Sequence, residues 1–273
     1  MKKAKILIIC TVMALILTMQ SAAFGTRSVT VKINGNTVYQ GSKLFLNGVT
    51  YVPFRDFYEE YEGASVSWSS SGARATARSG DVTVTAQSGQ SYIVANGRYI
   101  YYAKNINVGG RVYIPLRSAI KTLNGTTDWS QSSYTASAKT GSGGIKSGDS
   151  YYDQTDLYWL SRIISAESKG ESLYGKIAVG NVVLNRVKSA SYPGTVKEVI
   201  FDTKHGVQFT PVANVTIYDE PTAESIVAAK ICLEGYTVNS RIMYFMNEAL
   251  STNSWISQNC KYVFSIGNHD FYA

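Results

Sequence analysis

Glu167 is the residue of this sequence whose type and spacing most directly suggest chemistry. It shares one face of a predicted helix with Leu160, Ile163 and Ile164, because these positions are three or four residues apart. Burying an unpaired carboxylate is costly, so its pKa rises and it can serve as a general acid near neutral pH. The same position is also compatible with a structural role, in which the carboxylate caps a backbone amide or pairs with an arginine.

The first 25 residues have the pattern of a secretory signal peptide. Three lysines within residues 2–5 precede an apolar run over 6–19, and small residues follow near the expected cleavage site. The apolar run is too short for a comfortable membrane span. No later segment is long and apolar enough to span a bilayer. The sequence therefore predicts an exported protein with no membrane span after cleavage.

Composition narrows the classes of partner. The formal net charge is +7 over 273 residues, and three of the lysines fall in the predicted signal peptide. This excess is too weak and dispersed to indicate nucleic acid binding, but it suits an anionic cell surface. The 20 tyrosines are compatible with carbohydrate contact. Two cysteines remain after processing, Cys232 and Cys260, which could form a disulfide or stay as free thiols.

A Gly/Ser-rich stretch over residues 140–153 divides the mature chain. The pattern before it alternates as in strands, and the pattern after it has helical periodicity. We therefore expect a flexible linker at 140–153 between domains at 26–139 and 154–273. Residues 151–273 are expected to fold and act alone.

The first half contains a sequence repeat. Each unit predicts a hairpin with an Asn-Gly turn, a strand ending in Pro-Phe/Leu-Arg, a short helix and a strand around a tryptophan. Two such units predict one small, β-rich α+β module. The repeated pairs are Tyr51 and Tyr113, Pro53 and Pro115, Arg55 and Arg117, all offset by 62, and Trp68 and Trp129, offset by 61.

These doubled motifs resemble the copper amine oxidase N-terminal-like domain over about residues 28–139. The resemblance implies a stalk or wall-associating module. Copper sites favour imidazole and thiolate ligands, and this half has no histidine and no cysteine after the signal peptide. We therefore predict no metal site. Arg55 and Arg117 are interpreted as structural clamps on carboxylates or carbonyls, with wall-binding cations as the alternative.

The second half predicts a compact, mostly helical domain with a small sheet, close to lysozyme in its element content. Asp153 or Thr155 can cap the helix that carries Glu167, and Gly170 ends it. The further predicted elements are helices at 173–187, 195–199 and 221–235 and strands at 241–247 and 261–267.

Several motifs of this half resemble, in order and spacing, the SleB-type spore cortex-lytic cell wall hydrolases. The matching segments are Ser165–Glu171, Ala178–Lys188, Tyr192-Pro193, Gln208–Val212, Tyr244–Asn247 and Ile266–Tyr272. The resemblance covers about residues 154–273. It implies an enzyme that cleaves the peptidoglycan glycan strand between N-acetylmuramic acid and N-acetylglucosamine, typically as a lytic transglycosylase.

The resemblance places the catalytic glutamate at Glu167. The second acid of the motif is Glu171, which is the second catalytic candidate, with capping of the next helix as its alternative role. His269 is interpreted as a turn-stabilising residue. The candidate substrate-binding residues, whose amide, phenol or indole groups suit sugars, are Asn185, Gln208, Tyr244, Asn247 and Trp255.

Other classes of function are weighed against this one. A zinc enzyme needs several ligands at defined spacing, and His205 and His269 are the two histidines of the chain, so neither a metal nor another cofactor is expected. A Cys-His wall peptidase would pair Cys232 or Cys260 with His269. A non-enzymatic wall-binding protein is the other alternative.

The expected partner is the glycan strand of peptidoglycan, and the expected oligomeric state is a monomer. The expected location is outside the cell, associated with the cell wall or the spore envelope. Two choices stay open: hydrolysis or transglycosylation, and spore cortex or vegetative wall.

Overall fold

The computed structural model describes residues 28–204, 206–251 and 254–273. The predicted signal peptide and His205 lie outside these residues. The chain divides into two compact units. The first combines the described residues through Ala95 with Tyr102–Ile145, and the second combines Asn96–Tyr101 with Lys146–Ala273.

None of the helices in the described part of the chain is both long and apolar enough to cross a membrane.

The first unit is built mainly from short strands. Its strands are β1 Thr30–Ile33, β2 Asn36–Val38, β3 Leu44–Leu46, β4 Val49–Pro53, β5 Ser65–Ser69, β6 Arg74–Ser79, β7 Val82–Gln87, β8 Tyr92–Ala95, β10 Ile106–Val108, β11 Arg111–Pro115, β12 Thr126–Ser130 and β13 Thr135–Lys139, where β9 is Arg98–Tyr101 of the second unit. Its helices are α1 Phe54–Glu62 and α2 Leu116–Thr122.

The sheets of the first unit join its two sequence repeats. One sheet has the order β12-β13-β1-β2, another has the order β10-β11-β4-β3, and β5 to β8 are neighbours in sequence order in a third. In the antiparallel pair of β4 and β11, Val52 lies opposite Ile114. These residues occupy the same position of the repeat, so a pseudo-twofold axis passes between them.

The helices of the two repeats share one core. Phe54, Phe57 and Tyr58 of α1 are buried, and the Tyr58 hydroxyl lies 3.0 Å from Thr122 Oγ1 on α2. Burying large aromatic rings dominates the stability of a core of this size. The repeats therefore fold as one module, as the sequence predicts.

The second unit is mainly helical. Besides β9, its elements are α3 Gly148–Tyr151, α4 Gln154–Ser168, α5 Leu173–Lys188, α6 Val196–Ile200, α7 Thr210–Ala213, a 3-10 turn at Thr216–Tyr218, α8 Ala223–Leu233, β14 Tyr244–Met246, α9 Trp255–Asn259, β15 Tyr262–Ile266 and β16 His269–Tyr272. The three strands form a sheet of order β14-β16-β15. The predicted α+β fold is confirmed, and α3, α7, α9 and β16 were not predicted.

Close packing of α4, α5 and α8 forms the core of this unit. A Cβ atom added to Gly180 of α5 would lie 2.8 Å from both Cys232 Sγ and Ile164 Cδ1, so a larger residue there would push the helices apart. Cys232 is buried in this contact, and both it and Cys260 are free thiols in the structure. The disulfide that the sequence left open is therefore not formed.

The expectation of a flexible linker at residues 140–153 is wrong in part. The stretch contains helix α3, and Ile145 is buried. The Gly148 N–H donates to the Asn96 carbonyl at 2.7 Å, and a Cβ at Gly148 would lie 2.7 Å from the Gly97 carbonyl oxygen. Glycine serves here to let two backbone segments approach closely.

Asn96–Tyr101 lies within the predicted first domain but belongs to the second unit. Arg98 Nε and Nη2 donate to the two carboxylate oxygens of Glu234, just after α8, at 2.7 and 2.8 Å. The two side chains are only 8% and 1% exposed. The Tyr152 hydroxyl also donates to Glu234 Oε1, at 3.0 Å. This short segment thus supplies the cation for a buried carboxylate of the helical unit.

Candidate active site

Glu167 lies in the last turn of α4, a helix whose position follows from its sequence. The Asp153 side chain caps the helix by accepting the Asp156 N–H, as predicted. Leu160, Ile163 and Ile164 are fully buried. The stripe that they form fixes the rotation of the helix and turns Glu167 toward a partly enclosed position.

The surroundings of Glu167 disfavour its charge. The residue is half-buried, and no hydrogen bond to its carboxylate is formed by the described residues. Burial raises the pKa of Glu167 from its ordinary value of 4.5 to about 7. A carboxyl with this pKa is partly protonated at neutral pH, so it can both give and take a proton.

Glu171 is held differently from Glu167. Its Oε1 accepts hydrogen bonds from the Asn268 backbone N–H at 3.2 Å and from Asn268 Nδ2 at 3.0 Å. Asn268 and Gly267 form the turn between β15 and β16. Glu171 therefore anchors this hairpin to the start of α5, a contact that sequence analysis did not anticipate.

Gly267 allows Glu171 to approach the turn. Its φ of +56° is in the left-handed region, and a Cβ there would collide with Glu171 Oε2. We expect Gly267→Ala to lower the free energy of unfolding by about 1–3 kcal/mol, the usual cost of such backbone strain. Gly194→Ala is the matched control, because a Cβ at Gly194 meets open space. Equal melting temperatures for the two variants would contradict the proposed contact.

Asn185, a predicted substrate-binding residue, is occupied by backbone contacts. Its Nδ2 donates to the carbonyls of Asn239 and Ile242, both at 2.9 Å. One turn earlier on α5, the Nδ2 of Asn181 likewise donates to a backbone carbonyl, that of Tyr236, at 3.0 Å. These amides position the chain that leads into β14.

The remaining predicted binding residues fall into two groups. Gln208 and Asn247 make local turn contacts, to the Gly206 carbonyl and the Ala249 N–H respectively. Tyr244 and Trp255 lie together, with ring centroids 6.1 Å apart, and Trp255 is 52% exposed. The structure therefore gives a partly exposed aromatic pair and places Gln208 and Asn247 in local turns.

Arg186 is a buried cation that sequence analysis missed. It is 4% exposed, and its Nε donates to the Met243 carbonyl at 2.8 Å. Its guanidinium carbon lies 5.1–5.3 Å from the ring centroids of Tyr192, Phe209 and Tyr244. Burial lowers the pKa of Arg186. Its spacing of seven and four residues after the buried Val179 and Val182 was the available signal.

The aromatic rings around Arg186 also fix Tyr244. The Tyr192 hydroxyl donates to the Tyr244 hydroxyl at 2.9 Å, and the guanidinium lies 5.3 Å from the Tyr244 ring. Arg186 Nη1 is buried without a hydrogen-bond partner among the described residues. Cation–π contacts to three rings offset part of the cost of this burial.

His269 is a core residue at the start of β16. It is 8% exposed, and its ring lies 5.2 Å from that of Phe245. Burial lowers the pKa of His269 below its ordinary value. His269 pairs with Ile266 across the turn, next to the Asn268 that binds Glu171, so its position fits the expected turn-stabilising role.

In the described part of the chain, no three His, Cys, Asp or Glu side chains are grouped so that they could hold a metal ion.

Comparison with known proteins finds one family match in each half of the chain. Residues 170–272 match the family described as Cell Wall Hydrolase. The matched C-terminal residues thus form a cell wall hydrolase domain. Residues 32–138 match the Copper amine oxidase N-terminal domain family. The match to the hydrolase family begins three residues after Glu167, so the role of Glu167 depends on its own surroundings.

Individual relatives cover the hydrolase domain. A spore cortex-lytic enzyme of Bacillus cereus is 35% identical over 120 residues, which is 44% of this chain and 45% of the relative. A spore cortex-lytic enzyme of Oceanobacillus iheyensis is 32% identical, over 44% of this chain and 42% of the relative. A spore cortex-lytic enzyme of Bacillus subtilis is 30% identical, over 38% of this chain and 33% of the relative. The chain thus spans less than half the length of these curated relatives.

A solved structure also resembles the hydrolase domain. The catalytic domain of the germination-specific lytic transglycosylase SleB from Bacillus anthracis is 33% identical to this chain. The alignment covers 47% of this chain and all of that structure, with a TM-score of 0.41.

Proposed function

We propose that the chain degrades peptidoglycan by cleaving the glycan strand between N-acetylmuramic acid and N-acetylglucosamine, with Glu167 as its single acid and base. The observation that carries the proposal is a half-buried carboxyl whose pKa is raised to about 7, at the end of the helix that leads into the hydrolase family match. The names of the relatives, which are spore cortex-lytic enzymes, support peptidoglycan as the substrate.

The chemistry requires one carboxyl group. Protonated Glu167 gives its proton to the glycosidic oxygen as the bond to the anomeric carbon breaks. The resulting carboxylate then takes the proton of the muramic O6 hydroxyl, and that oxygen bonds to the anomeric carbon to form a 1,6-anhydro ring. If water replaces the O6 hydroxyl, the product is a reducing muramic end. Neither route needs the second carboxylate that ordinary retaining glycosidases use as a nucleophile.

Two features support giving this role to Glu167 alone. Glu171 already accepts two hydrogen bonds from Asn268, which favours a structural role for it. Cys232 is buried, and burial raises the thiol pKa of both Cys232 and Cys260. A cysteine peptidase requires a thiolate, so these thiols favour the glycan-cleaving proposal.

The pH dependence of the reaction should follow the protonation of Glu167. The free enzyme needs Glu167 protonated, so kcat/KM is expected to fall as pH rises through about 7. Because its folded-state pKa lies above the ordinary value of 4.5, its contribution to stability is complete below pH 4.5 and is lost as pH rises through 7. Initial rates on solubilised glycan strands between pH 5 and 9 measure the first effect. Rates that show no decline centred near pH 7 within this range would contradict the assignment.

Product analysis tests the reaction itself. The chain from residue 26 onward is incubated with purified sacculi and with spore cortex, which contains muramic lactam, and released fragments are analysed by mass spectrometry. Anhydro-muramic ends indicate transglycosylation, and reducing muramic ends indicate hydrolysis. Fragments released only by peptide or amide cleavage would refute the proposal. The relative rates on the two substrates separate a role in the spore from one in the vegetative wall.

We further propose that the protein acts as a monomer outside the cell, associated with the wall or the spore envelope. The spore cortex-lytic relatives support this location. Fractionation of cells and spores with an antibody to the chain would test it.

A further inference from the structure

Two pockets open on the first unit, and each is lined by an arginine and a tryptophan. One pocket, of about 350 Å³, is lined by Trp129 and Arg117, and the other, of about 250 Å³, is lined by Trp68 and Arg55. The two tryptophans occupy the same position of the sequence repeat, and so do the two arginines. We refer to them as the Trp129 pocket and the Trp68 pocket.

The two pockets are copies of one site. Nine of the thirteen residues that line the Trp129 pocket have their repeat partners among the residues that line the Trp68 pocket. Each pocket combines the tryptophan and arginine of one repeat with a strand from the other, which is Gly48–Thr50 in the Trp129 pocket and Gly110–Val112 in the Trp68 pocket. The pseudo-twofold axis between β4 and β11 therefore relates the pockets, and neither repeat forms one alone.

Tryptophan and arginine are kept in both copies, as are one glycine and one alanine, while several other paired lining positions differ in polarity. Thr127 in one pocket corresponds to Val66 in the other, and Val49 corresponds to Arg111. Packing of the core does not explain why Trp68 and Arg55 are kept, because Trp68 is 44% exposed and the Arg55 side chain is 54% exposed. These exposed groups are available for a ligand.

Arg55 pairs with a carboxylate, as the sequence suggested for a structural clamp, but the pair is local and exposed. Arg55 pairs with Glu59 on its own helix at 2.9 Å, and such exposed pairs contribute little to stability. The guanidinium carbon of Arg117, an exposed residue, lies 4.7 Å from the centroid of the Tyr102 ring. Both cations can therefore exchange their present contacts for an anionic group.

The ring of Trp129 is fixed in place before any ligand binds. It stacks on Phe45 with centroids 5.6 Å apart and an interplanar angle of 6°, and it meets Tyr134 edge-on at 5.6 Å. Its Nε1 donates to Gln131 Oε1 at 3.0 Å. A platform that is already ordered loses little conformational entropy on binding.

The chemistry of the pockets fits an acidic glycan. The face of an indole ring accepts the apolar C–H face of a sugar, and the planar fork of an arginine matches a carboxylate. Two equivalent sites on one unit suit a polymer with repeating units, because the second binding event is then intramolecular.

We propose that the two pockets bind peptidoglycan, each taking a sugar ring on its tryptophan and a nearby carboxylate of the same strand on its arginine. The choice of polymer rests on the proposed function of the hydrolase domain. The pairing of sugar and carboxylate rests on the pockets themselves.

Binding to insoluble sacculi tests the proposal. The chain from residue 26 onward, carrying Glu167→Gln to prevent digestion, is sedimented with purified sacculi. Trp68→Ala and Trp129→Ala are each expected to weaken binding about tenfold, a typical loss for an aromatic anchor. The double variant is expected to lose about a hundredfold or more, because avidity is lost as well.

Arginine variants test the ionic part of the proposal. Arg55→Ala and Arg117→Ala should weaken binding, whereas Arg74→Ala should not. Arg74 is the matched control, since it is an exposed arginine of the same unit that lies outside both pockets and donates to Gln87. Equal affinity for all three variants and the parent would refute a role for Arg55 and Arg117.

Different wall preparations show which anionic group the arginines bind. Sacculi stripped of teichoic acid should bind as well as untreated sacculi. Chitin, whose sugar rings carry no carboxylate, should bind more weakly. Binding that disappears with teichoic acid would overturn the assignment to peptidoglycan.

Melting temperature and cleavage of soluble glycans distinguish a loss of binding from a loss of folding or of catalysis. Trp68→Ala is the decisive variant, because Trp68, at 44% exposed, is the less buried of the two tryptophans, so its loss should lower the melting temperature less than the loss of Trp129. If Trp68→Ala and Trp129→Ala both stay folded and bind as the parent does, the proposal fails. In the active background, cleavage of short soluble glycans should be unchanged in both variants. A chain that binds sacculi through these tryptophans but cleaves nothing would refute the proposed function and leave the pockets intact.

Discussion

Replacing Glu167 with glutamine is expected to lower turnover on peptidoglycan by ~10²–10⁴-fold, the usual effect of losing a general acid. Glutamine preserves the shape of the side chain but cannot protonate the glycosidic oxygen. Because the substitution removes an ionisable group from a half-buried position that disfavours charge, the fold should be kept. Thermal melting and the rate of release of muropeptides, measured on the same preparation, check both expectations.

Glu171→Gln is the matched control for that experiment. The Oε1 of glutamine can still accept the hydrogen bonds that Asn268 now gives to Glu171. We therefore expect Glu171→Gln to lose far less turnover than Glu167→Gln. If Glu167→Gln stays folded and nearly fully active, Glu167 is structural. If Glu171→Gln alone is inactive while folded, Glu171 is the acid.

Replacing Arg98 with alanine should have the largest effect on stability. The Glu234 side chain is 1% exposed, and Arg98 binds both of its oxygens. Breaking a buried ion pair by removing one partner costs ~3–5 kcal/mol, because the other charge stays buried. Arg98 also lies over the Tyr151 ring, with its guanidinium carbon 3.5 Å from the ring centroid, so this contact is lost too. Denaturant unfolding followed by tryptophan fluorescence would measure the loss.

Two further variants show whether the loss of stability comes from the buried pair of Arg98 and Glu234. Arg55→Ala removes one partner of the exposed pair with Glu59 and should cost less than ~1 kcal/mol. Replacing Arg98 and Glu234 together with apolar residues should restore part of the loss, since neither charge is then left buried. If Arg98→Ala is no more destabilising than Arg55→Ala, the buried pair contributes little.

The same contact bears on the sequence-based expectation that residues 151–273 fold and act alone. A fragment that begins at residue 146 lacks Asn96–Tyr101 and therefore lacks Arg98. We expect it to melt well below the full chain. The fragment with Glu234→Gln should recover part of the difference, which would attribute the deficit to the unpaired carboxylate.

Local sequence patterns predicted much of this fold. Periodicity located α4, α5 and α8, and the Asp153 cap and the internal repeat were also visible in the sequence. Each of these features depends on residues that are close along the chain. The register that places Val52 opposite Ile114, and the membership of Asn96–Tyr101 in the second unit, depend on contacts between distant segments. Propensity and periodicity carry no information about those contacts.

In the candidate site, too, local features could be predicted from the sequence and contacts between distant segments could not. The burial and raised pKa of Glu167 follow from its place on an apolar stripe, which the sequence displays. The contacts of Asn185 and Arg186 are made with carbonyls more than 50 residues away, and no local signal identifies those partners. The amide of Asn185, which the sequence suggested for sugar binding, is therefore engaged by the backbone.

The discontinuity of the second unit has an evolutionary consequence. A hydrolase domain that is moved next to a different module loses Arg98, because that residue lies within the sequence of the preceding module. Glu234 would then stay buried without its cation, which natural selection would tend to remove. Homologous hydrolase domains that follow unrelated modules are therefore expected to carry an uncharged residue at the position of Glu234. Those that follow this module should keep the two residues together, so the pair would record which fusions share a common ancestor.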